Sequence, residues 1–67
     1  MITLNQKLNR ELNHLQHNVN KLDKFIMDNS VYVTLDKEHK KLLKEQLKAM
    51  RLYEKVLAKR LTLLLKQ

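Results

Sequence analysis

Seven basic side chains recur at intervals of three and four: Lys37, Lys41, Lys44, Lys48, Arg51, Lys55 and Lys59. On a helix, at roughly 100° per residue, this spacing keeps all seven on one face. At 1.5 Å per residue they extend along roughly 33 Å. No acid interrupts the row; Glu38 and Glu45 stand at its edge. Like charges four residues apart repel by a few tenths of a kcal/mol per pair, so the row does nothing for the stability of its own helix. Two readings stand. One is a solvated lysine face. The other is an anion-binding face, with Lys44, Lys48, Arg51 and Lys55 at its centre.

A second set of polar residues sits among apolar ones. Gln46, Tyr53 and Arg60 are spaced by seven and share a helical row with Leu42, Ala49 and Val56. Polar groups at that interval inside an apolar arc are either buried and paired or gathered in an oligomeric pocket. For Arg60 the structural reading is an ion pair with Glu11 or Asp23 of the first helix. The ligand reading puts the Arg60 fork on a phosphate and the Tyr53 ring on a base.

The element that must carry these residues is the segment from Asp36 to Leu65, with no Gly and no Pro. Leu43, Leu47, Met50, Leu57, Leu61 and Leu64 form its main apolar row, with Glu54 the one charge in it. The neighbouring row adds Leu42, Ala49, Tyr53, Val56 and Leu63, so apolar residues cover an arc of roughly 200°. One helix contact needs only about 100°. The excess predicts a second neighbour from another chain, with Leu57, Leu61 and Leu64 at that interface.

The first half supplies the partner helix. Thr3 and Gln6 fit a capping box. Leu8, Leu12, Leu15, Val19, Leu22 and Ile26 follow in heptad-like steps, broadened at the end by Phe25. Beside this seam lie Asn5, Asn9, Asn13, Gln16 and Asn20. Such a row of amides is a solvated flank or a set of groups for base edges and ribose hydroxyls. His14 and His17 are three apart, but no nearby carboxylate completes a metal set, so no metal site is expected. Asn29 and Ser30 are turn residues, and Val31 to Thr34 read as an extended connector with Val31 or Tyr32 tucked against the end of the pair. Asp36 is the expected N-cap of the second helix. The reading is all-α: one domain over residues 1–67, an antiparallel two-helix hairpin with helices at about 4–28 and 36–65 joined by 29–35. These hairpins are expected to assemble into a helical-bundle oligomer.

Composition narrows the classes. The chain has 67 residues, no Cys and a net charge of +7. Disulfides and zinc–cysteine sites are excluded, which leaves oligomerisation as the staple for so small a core. The charge is uneven: residues 36–67 hold ten Lys/Arg against four Asp/Glu, and residues 1–35 hold four against three. That asymmetry points to an anionic partner. Uncharged runs are too short for a membrane span, and the N-terminus is polar by residue 5, so the expected location is the cytoplasm. No nucleophile–base pair or catalytic carboxylate pair is present at plausible spacing, so no enzyme and no cofactor is expected.

Several of these residues also carry a resemblance. Lys21-Leu22-Asp23-Lys24-Phe25-Ile26, then Leu35, then Leu42-Leu43-Lys44-Glu45-Gln46-Leu47-Lys48-Ala49-Met50, Tyr53, Leu57 and Arg60-Leu61 resemble a family of small phage and prophage hairpin proteins related to a crAss-like phage protein. The family pattern runs KLxxFI, a connector, then LLxxQLxAMxxYxxxLxxRI, and spans roughly residues 8 to 61 here. Leu61 stands where Ile is common. Members are often acidic along the second helix, where this chain is basic. The resemblance implies phage origin and the hairpin fold, not a mechanism. The function expected is non-enzymatic binding in a host cell: a counter-defence inhibitor that sequesters an anionic nucleotide signal or a host defence protein. Two alternatives stay open, a basic nucleic-acid-binding accessory protein and a coiled-coil module with no small ligand.

Overall fold

A computed structural model describes residues 3–66 as three helices, α1 (Leu4–Asp28), α2 (Ser30–Thr34) and α3 (Lys37–Leu65). No strand occurs among the described residues.

Each helix start is fixed by its own sequence. The Gln6 N–H donates to the Thr3 hydroxyl at 3.1 Å, and the Thr3 N–H donates to the Gln6 amide oxygen at 3.0 Å. This capping box satisfies two backbone donors that have no partner inside the helix. Asp36 accepts from the His39 N–H at 2.7 Å, and Glu38 in the first turn of α3 suits the positive end of the helix.

The connector differs from the extended stretch its composition suggests. Asn29 closes α1 with an N–H bond to the Phe25 carbonyl and opens α2 by accepting from the Val31 N–H at 2.8 Å. The Thr34 hydroxyl donates to the Val31 carbonyl at 2.7 Å. One residue thus caps two helices, and a single helical turn replaces the extended segment. Tyr32 is the reason this turn holds despite its β-branched neighbours. It is buried, its ring meets Phe25 edge to face at 6.0 Å, and the Lys40 ammonium lies 5.6 Å from its centroid. Val31 and Val33 stay exposed.

The core lies between α1 and α3. Leu8 and Leu12 enclose Leu57, which is 0% exposed, and Leu15, Leu61 and Leu64 pack around them. Val19 and Leu47 are also buried. The molecule measures 48 × 18 × 16 Å, no wider than two helices of about 10 Å each side by side. The core is therefore one layer of side chains. Leu57, expected at an interface between chains, is enclosed by its own chain, because α1 lies across the main leucine row of α3.

Candidate binding faces of α3

With α1 covering one side, α3 leaves two others open. One is the row Leu42, Gln46, Ala49, Tyr53, Val56, Arg60 and Leu63. All seven are exposed, with Leu42 at 56%, Tyr53 at 44%, Val56 at 46% and Leu63 at 63%. Singly exposed leucines are ordinary; an unbroken apolar line at seven-residue spacing is not.

Within this row Tyr53 is held by the other helix. Its hydroxyl donates to the Glu11 carboxylate. That bond, then local desolvation and the Glu11 charge, raise the phenol pKa, and the positive charge of Arg60 opposes the rise. Arg60 stands seven residues, about two helical turns, beyond Tyr53 on the same row. It makes no ion pair among the described residues: of the two acids the sequence offers it, Glu11 goes to Tyr53 and Asp23 goes to Arg51 at 3.2 Å. The Gln46 amide lies 3.9 Å from the Met50 sulfur, a weak contact that leaves its oxygen free to accept. Within one chain, Gln46, Tyr53 and Arg60 lie along about 21 Å of helix at 1.5 Å per residue, so they line a row and do not converge.

The second open side is the basic face. Lys44, Lys48, Arg51 and Lys55 are all exposed on it, as are Lys37, Lys41 and Lys59. A shallow depression runs past Lys37, Lys40, Lys41, Lys44 and Lys48, with Glu45 on its rim. A second follows through Lys48, Arg51, Leu52 and Lys55. Their walls are lysine stems, which keep ammonium groups in water while covering apolar surface. Arg51 differs from the lysines because Asp23 ties it to α1. Tyr53 and Arg51 are two residues apart, roughly 200° around the helix, so their bonds to α1 flank the leucine seam on opposite sides.

Periodicity alone did not reveal that Glu11 pairs with Tyr53 or Asp23 with Arg51. Both depend on the register of α1 against α3, which the caps at Asn29 and Asp36 set. Among the described residues no three His, Asp or Glu side chains converge to hold a metal ion, and no helix is long and apolar enough to cross a membrane. Apart from Tyr32, with its hydroxyl, no side chain bearing a polar group is buried among the described residues.

These features define a small all-helical protein with a thin core, an open apolar row and an open basic face. The chain belongs to the Sequestin family, whose pattern matches residues 3–63. No curated protein and no solved structure matches it.

Proposed function

We propose that this chain is a sequestering protein without catalytic activity, made by a phage or prophage to remove an anionic nucleotide signal of host defence. The hairpin of α1 and α3 is its unit, and the units assemble into a helical-bundle oligomer in the host cytoplasm. The family name supports a sequestering role over catalysis. The observation that carries the nucleotide reading is the open row of α3, where Arg60, unpaired among the described residues, stands about two helical turns from the exposed Tyr53 ring. A guanidinium and an aromatic face on one row offer a fork for phosphate and a surface for a base. In an oligomer Gln46 completes the set with an amide. Sequestration requires tight binding and no reaction, which suits a chain of this size.

Thermal shift with cyclic di- and trinucleotides and ADP-ribose derivatives tests this. A ligand that binds only the folded protein stabilises it by about 2.7 kcal/mol at a hundredfold excess over Kd. The expected result is a shift in the wild type that is lost in Arg60→Ala and Tyr53→Ala. If no nucleotide shifts the wild type while the protein still blocks a defence system in cells, the target is a host protein.

The basic face supports a second reading, nucleic-acid binding. Six lysines and Arg51 along roughly 33 Å suit a phosphate backbone. The face lacks interleaved aromatics and is rich in Lys where base reading favours Arg, Asn and Gln, so this reading predicts binding without sequence preference.

A further inference from the structure

We propose that two copies of this chain pair through α3 in opposite directions, with the two-fold axis crossing near Tyr53. Each end of the seam then joins Gln46 of one chain to the partner's Arg60, a polar site that neither chain holds alone. This rests on the oligomer proposed above and adds its direction and register.

The open row of α3 has a seven-residue repeat with two positions. Leu42, Ala49, Val56 and Leu63 occupy one; Gln46, Tyr53 and Arg60 occupy the other. At 100° per residue they form two adjacent lines roughly 50° apart. The polar line is the one beside α1, since Tyr53 donates to Glu11 on α1 and Gln46 and Arg60 share its line at seven-residue spacing. The apolar line faces solvent. The occupant must cover leucines and valine while giving Arg60 something other than a positive charge.

A second copy can do this in only one direction. In a parallel pair the axis runs along the helices, and every position is level with its own equivalent. Arg60 then meets the partner's Arg60 inside an apolar seam, where like charges are unfavourable and poorly screened. In an antiparallel pair the axis is perpendicular to the helices, and that symmetry keeps each line on its own edge. All polar side chains of both copies share one edge, and all apolar ones share the other. The order along the polar edge becomes Gln46, the partner's Arg60, Tyr53, the partner's Tyr53, Arg60, the partner's Gln46. The two guanidiniums are then roughly 15–25 Å apart at 1.5 Å per residue. That exceeds the screening length of about 8 Å at physiological salt.

The row fits this arrangement from end to end. Read outward from Tyr53 it has Ala49 and Val56, then Gln46 and Arg60, then Leu42 and Leu63, so a reversed copy sets small beside branched, amide beside guanidinium and leucine beside leucine. The lysine row lies on another side of α3 and stays outside the pair. A guanidinium fork next to an amide takes one phosphate-like anion. Symmetry gives two such sites per dimer, one per chain, in place of a single central pocket.

The chain has no cysteine, so single introduced cysteines report position cleanly. Tyr53→Cys, treated with a short homobifunctional maleimide, is expected to give a covalent dimer of twice 8.1 kDa. Gln46→Cys and Arg60→Cys are each expected to remain single chains, and an equimolar mixture of the two is expected to cross-link. That mixture leaves the Tyr53–Glu11 bond intact, so it decides the matter even if Tyr53→Cys fails to fold. Self-linking of Gln46→Cys as strong as that of the mixture means a parallel pair and overturns the inference. A dimer by native mass with none of these cross-links also overturns it, while the oligomer reading stands. A single chain by native mass overturns both.

Discussion

Tyr53 stands at the junction of two demands. Its hydroxyl ties α3 to α1 through Glu11, and its ring belongs to the open row. The bond to a carboxylate holds its pKa above the ordinary phenol value. Because the folded pKa is raised, the stability this bond contributes is fully present below the unfolded pKa of tyrosine. It is lost as pH rises through the folded value, where phenolate and carboxylate repel. A Tyr32→Phe background leaves Tyr53 as the one tyrosine. Ultraviolet titration is expected to give an elevated pKa there that falls back toward the ordinary value in Glu11→Ala. An unchanged pKa in that variant would remove Glu11 as the cause.

At the scale of elements, α3 is held by one layer of leucines and oriented by caps. Leu57→Ala leaves a cavity where the chain is most enclosed and is expected to lose about 2–5 kcal/mol by denaturant unfolding. Leu52→Ala, on an exposed position, is expected to stay within about 0.5 kcal/mol of the parent. Asn29 caps two helices at once, so Asn29→Ala is expected to cost about 1–2 kcal/mol, at the upper end for a single cap. The caps at Thr3 and Asp36 were legible in the sequence because capping is local chemistry over three residues. The leucine rows were legible because period decides burial. The helical turn at Ser30–Thr34 was not, since its branched residues favour strand and the burial of Tyr32 overrides them. The partners of Tyr53 and Arg51 were not legible either, because they follow from interhelical register. That Leu57, expected at an interface between chains, is enclosed by Leu8 and Leu12 of its own chain was not legible for a related reason. The arc of roughly 200° is wider than one helix contact uses, but it does not say which row α1 would take.

At the scale of the whole molecule, the net charge of +7 is concentrated on the side of α3 that α1 leaves open. If the lysine face takes nucleic acid, affinity falls with salt at a logarithmic slope near −0.9 per phosphate neutralised on duplex DNA. Replacing Lys44, Lys48 and Lys55 by Gln is then expected to lower the slope by about 3 and weaken all sequences alike. These three are preferred to Arg51, whose loss would also free Asp23. No binding at about 50 mM salt, where this attraction is strong, would leave the face as a solvated flank. The same face has a further consequence for proteolysis. Trypsin cuts after Lys and Arg, and α3 displays them along its length, yet each of those peptide bonds is locked in helix. Cleavage there requires α3 to lift off α1 and unwind, so when opening is fast relative to cutting the digestion rate tracks the open population. The protein thus carries its own gauge of local unfolding, and anything that clamps α3, a ligand or a second chain, lengthens its lifetime under trypsin in proportion to its hold.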